Sequence, residues 1–364
     1  MDSEQILAFR LARSGLATRD AASLAEAAAC PASDFARDAA LLSLAARREG
    51  LTRDAYDEAV DGGGEIVVAP IVRGAIHALA ADDLPLLGRA LIATDDEELG
   101  RQLGPQVQKL AGEKGFRPTD ALAEVAEATR AALKGGRALS KNELHAEYRE
   151  RVSGDLMPWC KGCKSHHVAP MLWRFAVVEA GARLDSERRY LMARRRKAPP
   201  AAEAVRLFLR FYAPATPGEF AEWAGIAKSH GKRLWGEVEG ELTEVRAGRR
   251  AAWALSSDSA DLDSPPEAEG VVMIPPGDPY LQKVNRPLLA PGDDLRKRFF
   301  RPVASPGAVL KDGRLIALWR VKAKGRRAEV TVEKLGRVAR SDLEGEAQRI
   351  AVLRGADEAI LQIG

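Results

Sequence analysis

"ATPGEFAEWAGIAKSHGKRLWGEVEGELTEVRAGRRAAWAL", residues 215–255, decides the fold. Thr216 precedes Pro217 and stands three residues before Glu219, so it can cap a helix that has proline at its first position. Gly225 closes that short helix, and "KSHGKRLWGEVEGEL" (228–242) reads as the next one. "LTEVRAGRRAAWAL" then alternates like two strands around an Ala247-Gly248 turn, with Arg246, Arg249 and Arg250 near its tip. A further helix, "AAEAVRLFLRFYAP" (201–214), comes before all of this. Helix, short helix, turn, helix and hairpin within about sixty residues is the order of a winged helix.

The same order occurs upstream. In "LSKNEL" (139–144), Ser140 and Glu143 form a capping box that opens a helix running through "ELHAEYRERV". "PWCKGCKSHHV" (158–168) makes an elbow, "SHHVAPMLWRFAVVEAG" a second helix ending at Gly181, and "ARLDSERRYLMARRR" two short strands. The first hundred residues read as helices over 4–15, 19–29, 34–48 and 52–61. A strand pair follows in "GGGEIVVAP" and "IVRGAIHALA", then a helix from about Asp82 and a polar helical connector over 95–135.

Beyond the acidic, Ser/Pro-rich "SSDSADLDSPPEAE" (256–269) the period changes to that of strands: "GVVMIPP", "GAVLKDGRLIALWRV" around Asp312-Gly313, and "RAEVTVEKLG". A helix (340–356) and a strand (358–363) finish the chain. The fold class is α+β: tandem winged-helix domains with a C-terminal β-rich α+β domain. The expected boundaries are an N-terminal helical or winged-helix domain over 1–115, a second winged helix over 116–199, a third over 200–256, a linker over 257–269 and the β-rich domain over 270–364.

Composition limits the function. No apolar run approaches the ~20 residues of a membrane span. The amphipathic start "MDSEQILAFRLARSGL" carries acids and is no signal peptide. Three cysteines, with Cys30 isolated, build no disulfide framework, so a reduced, cytoplasmic protein is expected. The net charge is only +3, but it is patterned. "SERRYLMARRRKA" carries six basic residues against one acid, "DLRKRFFRP" four and "WRVKAKGRRAEV" five, each beside a predicted strand.

The elbow has two readings. Cys160, Cys163, His166 and His167 are zinc-type ligands without the long loop of a zinc finger. Adjacent histidines on a helix point about 100° apart, so at most one joins the cysteines naturally. A redox pair fits less well, because no thioredoxin-like strand–helix pattern surrounds the CxxC. The preferred reading is a plain elbow, with Ser165 capping a helix that His166 and His167 begin and with Lys161 and Lys164 placed for phosphate. It predicts sub-stoichiometric zinc at most. A structural zinc bracing the elbow is the alternative.

Six stretches in order, "LSLAARREGLT" (42–52), "VRGAIHALAADDL" (72–84), the Cys-His elbow, "PPGDPYLQ" (275–282), "LRKRFFRP" (295–302) and "GRLIALWR…VTVEKLG" (313–336), carry a likeness. Through them the chain resembles the winged-helix DNA-binding family that includes the alkylpurine and crosslink-unhooking DNA glycosylases. The resemblance implies tandem winged helices in a C-shaped arrangement, closed by a β-domain that contributes a hairpin to duplex DNA. It also implies a catalytic Gln-x-Gln or Gln-x-Asp, and here that place reads "CPASD" (30–34), with Pro31 and Ser33 at the two family positions. Base excision needs a polar group to activate water and to stabilise developing oxocarbenium charge. The family residues are therefore not carried over. Asp34 is the one catalytic candidate, and an exposed N-cap of the next helix is its plainer reading. His77 matches a family position but reads as a structural histidine. Arg73 touches phosphate or caps an acid, "DPY" (278–280) is a turn packing Tyr280, and the six tryptophans are core anchors.

The expected function is duplex-DNA binding by a monomer without cofactor. Helices near 166–180 and 229–240, the latter carrying Lys232 and Arg233, face a groove. Arg194, Arg195, Arg196, Arg249 and Arg250 take phosphates together with Arg73, Lys164, His166 and His167. The hairpin bearing Lys322, Lys324, Arg326 and Arg327 probes the minor groove. The alternatives are an active glycosylase for alkylated or crosslinked bases working through Asp34, a transcriptional regulator, and a protein-contact adaptor.

Overall fold

The computed structural model describes every residue except Arg37 and Pro302, and of Val72 the backbone alone. The expected helix over 34–48 and the stretch "LRKRFFRP" each include one residue outside that description. The fold is mixed α+β. Among the described residues no helix is long and apolar enough to cross a membrane. The chain forms two compact units, one of Met1–Tyr56, Arg206–Thr216 and Val238–Gly364, the other of Asp57–Val205 and Pro217–Glu237.

In the first unit the strand-period tail forms a sheet in sequential order: Val271–Ile274, Gly307–Lys311, Arg314–Lys324, Arg327–Lys334 and Glu358–Ile363. The first four pair antiparallel, and the last joins parallel after the helix Arg340–Leu353. Asp312 and Gly313 make the expected turn with φ of 48° and 76°. Buried Trp319 donates its indole N–H to the Ile274 carbonyl at 2.8 Å. Gly307 lies opposite it in register, and a Cβ there would come within 2.3 Å of the indole nitrogen, so only glycine fits.

The core of this unit joins distant parts of the chain. Leu11, Leu16 and Ala46 pack with Ile274, Tyr280, Phe299, Leu310 and Leu318. Two buried arginines fix the same junction. Arg47 grips Asp278 through both guanidinium nitrogens at 2.8 and 2.9 Å and also donates to the Ser14 and Ser43 carbonyls. Asp278 in turn accepts the Tyr280 amide, so "DPY" is the Tyr280-packing turn read from sequence. Arg10 donates to the Ala213 and Pro214 carbonyls and to Asn285.

In the second unit the helix Pro170–Ala180 packs most extensively on Pro118–Ala132, which also meets Lys141–Arg151. Thr129 and Tyr148 hydroxyls hydrogen-bond at 2.7 Å inside this helical layer. The Ser140/Glu143 capping box is formed in both directions. The strand pairs read separately at 66–80 and 182–192 belong to one sheet, because Val68 pairs with Leu184. Helices Pro217–Ala224 and Lys228–Gly236 cross closely, and a Cβ at Gly231 would lie 2.7 Å from that of Ala221. The expected hairpin forms as Leu242–Ala247/Arg250–Leu255 in the first unit, with its turn at Gly248-Arg249, one residue beyond the Ala247-Gly248 read from sequence, because Ala247 pairs with Arg250.

Three expectations need correction. The second helix of the elbow region starts at Pro170, with Ala169 extended before it, and Ser165 and His166 form a short strand with Trp159 and Cys160. Proline disfavours helical backbone in the residue before it and is itself suited to the first helical position, which moves the start four residues on. The helix expected over 34–48 spans Ala39–Ala45, opened by Asp38 at φ 64°. The one expected over 19–29 shrinks to Leu24–Ala27 behind a Ser23 cap.

Removing one partner of the sealed pair leaves the other buried and uncompensated. Asp278→Asn is expected to cost about 3–5 kcal/mol, read as a lower denaturant midpoint, whereas Asp293→Asn in an exposed pair moves it by less than about 1 kcal/mol.

Candidate functional site

The "CPASD" segment is built into the first unit. Cys30 is buried beside the Tyr212 hydroxyl at 3.5 Å, and that hydroxyl donates to the Pro279 carbonyl at 3.0 Å. Burial pushes the Cys30 thiol up to about 12, so it stays protonated and inert. Ala32 and Ser33 form a two-residue strand with Ser33 half-buried. Gly277 sits opposite at φ 85°, where a Cβ would lie 3.5 Å from the Ser33 hydroxyl oxygen. Asp34 is only 7% exposed, which corrects the expectation of an exposed cap. It nevertheless does cap work, since its carboxylate accepts the Ala40 amide at 3.3 Å in the first turn of Ala39–Ala45. Phe35, next to it, is 81% exposed. Pro31 and Ser33 thus offer one side-chain hydroxyl and no carboxamide or carboxylate.

The expected DNA-contacting cations fall into two groups. Arg196 is paired with Asp82, Arg233 with Glu98 at 3.4 Å, Lys324 with Glu329 at 2.8 Å, Arg326 with Asp357 and Arg327 with Glu358 at 3.0 Å. Among the described residues Lys164, Arg194, Arg195, Lys232, Arg249 and Lys322 are exposed and make no ion pair. Arg250 is exposed at the hairpin tip, and Arg73, in left-handed backbone at φ 59°, lays its stem against Gly225. Arg194, Arg195 and Arg196 line a cleft of about 360 Å³ together with Arg89 and Arg130. Those last two share Glu179 at 3.6 and 3.8 Å. Sequence reading missed Arg89 and Arg130, which lie in helical segments without a basic run.

The elbow places Cys160, Cys163 and His167 so that their donor atoms lie within 4.8 Å of one another, a group that could hold a metal ion. His166 lies outside it. Its Nδ1 is 2.9 Å from the Met157 carbonyl, and its ring stands edge-on to Trp159. The Cys163 amide, followed by the His167 and Cys163 side chains, brings the Cys160 thiol down to about 7. The Cys163 thiol is raised in turn by its neighbour Cys160. His145, unnoticed in the sequence, completes the surroundings, its ring centroid 5.6 Å from that of His167. Burial first, then the charges of His167, Lys141 and Arg149, lowers it to about 4, so it is neutral at pH 7.

His77 has the structural role expected of it. It is buried in the strand Ile76–Ala80, its Nδ1 is 2.9 Å from the Ala75 carbonyl, and burial lowers it to about 4. Between pH 6.5 and 4 the unfolded chain takes up a proton at this site that the folded chain refuses. Its contribution to stability is therefore full above pH 6.5 and is lost as pH falls through that window. His77→Gln should show a smaller drop in denaturation midpoint between pH 7 and pH 5 than the wild type. An equal drop would mean that His77 does not titrate this way.

The fold is that of a DNA glycosylase family. A family model described as DNA glycosylase AlkZ-like matches residues 31–353, and the chain belongs to that family. Among solved structures, the DNA glycosylase AlkZ of Streptomyces sahachiroi superposes with a TM-score of 0.77 over 100% of both chains. Its sequence identity to this chain is 19%, so that likeness concerns the fold. No curated protein matches in sequence.

Proposed function

We propose that this chain is a monomeric, cytoplasmic, duplex-DNA-binding protein built on the DNA glycosylase scaffold, which does not excise bases by the family's side-chain pair. The observation that carries the reading is the segment Pro31–Asp34 inside a chain matched to the family over 31–353. Pro31 supplies neither a polar side chain nor an amide N–H, Ser33 only a hydroxyl, and Asp34 has already accepted a helix amide. Binding is left as the retained capacity. In this reading 116–199 and 200–256 act as winged helices; Lys228–Gly236, which exposes Lys232, is the groove-facing helix, whereas Pro170–Ala180, expected in that role, is buried on nearly every side and packs the core instead. Arg194, Arg195 and Arg249 take phosphates from the wings, and Lys322 to Arg327 form the probing hairpin. No cofactor enters the DNA contacts, and zinc at Cys160, Cys163 and His167 has a bracing role only.

The paired and unpaired cations make this reading quantitative. Each phosphate contact adds about 0.9 to the slope of log affinity against log salt on duplex DNA. Arg194→Glu with Arg195→Glu removes two uncompensated charges and should lower that slope by up to about 1.8. Arg326→Glu with Arg327→Glu should weaken binding across all sequences and flatten the slope less, because Asp357 and Glu358 already offset those charges. An unchanged slope in either variant would take that surface out of the interface.

The deciding experiment is base release from alkylated duplex DNA, with abasic sites counted as amine-induced strand breaks. The expected result is no release above the uncatalysed control, with tight, salt-sensitive retention of the same duplex. Release that Asp34→Asn abolishes would instead establish an active glycosylase. Failure to retain the duplex at low salt would favour a protein-contact adaptor, and strong preference for one sequence would favour a regulator.

A further inference from the structure

The knuckle at 159–167 presents a chemistry that the DNA-binding reading does not use. We infer that it holds one zinc ion, bound by Cys160, Cys163 and His167 from the knuckle and by His145 from the helix Lys141–Arg151.

The donor set comes first. Four-coordinate zinc with two thiolates and two imidazoles puts its donors roughly 3.3–3.8 Å apart. Cys160 Sγ, Cys163 Sγ and a His167 ring nitrogen already lie within 4.8 Å of one another, so small side-chain rotations close the set. The backbone is shaped for this. Trp159–Cys160 pairs with Ser165–His166 in a minimal hairpin, and Lys164 turns its corner at φ 49°, in the left-handed region that a non-glycine residue seldom adopts. The turn brings both thiols to one side, and even a Cβ at Gly162 would lie 4.0 Å from Cys160 Sγ.

The second observation is independent of the cysteines. His167 Nδ1 is 2.8 Å from the Val168 carbonyl, a bond in which it donates, which leaves Nε2 as the lone-pair nitrogen. That Nε2 is buried and, among the described residues, has no hydrogen-bond partner apart from the Cys160 thiol beside it. Nδ1 of His145, whose ring stands beside that of His167, is also buried and has no hydrogen-bond partner among the described residues. Buried polar atoms without partners are few in folded proteins, and two imidazole nitrogens met by at most a thiol of the same CxxC call for a common partner. A metal-binding histidine ordinarily donates its other nitrogen to a carbonyl, as His167 does. A Cys160–Cys163 disulfide would leave both imidazoles unexplained. Two sulfurs and two ring nitrogens suit zinc among the common divalent ions.

Four protein ligands make a closed, structural site. It ties the helix carrying His145 to the lead-in of Pro170–Ala180, so the ion would set the entry angle of that helix while Lys161 and Lys164 stay exposed on the knuckle.

The test uses the full-length protein purified without chelator. Elemental analysis should find close to one zinc per chain, and the Cys160→Ser/Cys163→Ser variant should hold less than a tenth of that. Cobalt substituted for zinc should give the intense visible bands of a tetrahedral thiolate site. His145→Ala should weaken zinc at least about tenfold in competition with a chromophoric chelator, the loss of a ligand costing no less than the loss of an outer-shell partner. If a variant fails to fold, thiol titration of the wild type decides: two thiols protected until a chelator is added support the site. Absence of zinc from protein prepared in zinc-supplemented medium overturns the proposal, as does zinc undiminished in the double cysteine variant. Unchanged zinc affinity in His145→Ala overturns the fourth ligand. None of these readouts involves DNA, so the metal site and the DNA-binding reading fail separately.

Discussion

The first unit depends on a guanidinium and a carboxylate removed from water together. Taking Arg47 and Asp278 out of solvent is costly, and their attraction offsets that cost only when the remaining donors and acceptors are satisfied as well. Here they are: the guanidinium also reaches two carbonyls, and the carboxylate also accepts an amide. Burial alone would lower the guanidinium's pKa, and Asp278 more than reverses that, so the charge is held. Arg10 repeats the solution against two carbonyls and Asn285. Helices from the first fifty residues are thereby fixed to a loop more than two hundred residues away. Gly277 precedes Asp278 in that loop and faces Ser33, so the same pair sets the surroundings of the "CPASD" segment.

The outer surface follows a different rule. A near-neutral chain with three basic runs neutralises much of its own charge locally: acids meet Arg196, Arg233, Lys324, Arg326 and Arg327. Such exposed pairs contribute little to stability and exchange partners readily. They soften the field of the hairpin that carries Lys324, Arg326 and Arg327. Among the described residues Arg194, Arg195 and Arg249 make no such pair, so their charge is less locally compensated than that of the hairpin.

Elements with local chemistry were legible in the sequence. The Ser140/Glu143 box, the Gly181 and Gly225 stops and the Asp312-Gly313 turn form where read, and the 242–255 hairpin forms with its turn one residue on; all rest on residues a few positions apart. Contacts between distant segments were not legible. Nothing near Arg47 announces Asp278, and nothing in the two upstream strand pairs announces that Val68 meets Leu184. Two adjacent histidines resemble a helical first turn, yet the elbow helix begins only at Pro170, which marks its boundary. His145 was passed over for a related reason: a single histidine within a helix acquires meaning only through what another segment brings beside it.

The segment Pro31–Asp34 is set by more than its side chains. A proline at 31 also removes a backbone donor, so the peptide chain cannot make up for the missing carboxamide. The neighbouring thiol offers no substitute, because burial keeps it protonated even though its contact with the Tyr212 hydroxyl pulls the other way. Asp34 carries the one nearby carboxylate within the segment, and it is committed to the first turn of Ala39–Ala45. Recruiting it to activate water would release the amide it now satisfies, in a place where water cannot easily replace it. The arrangement is self-consistent as a packed structural junction. Catalysis there would have to be drawn against the stability of the helix that the carboxylate begins.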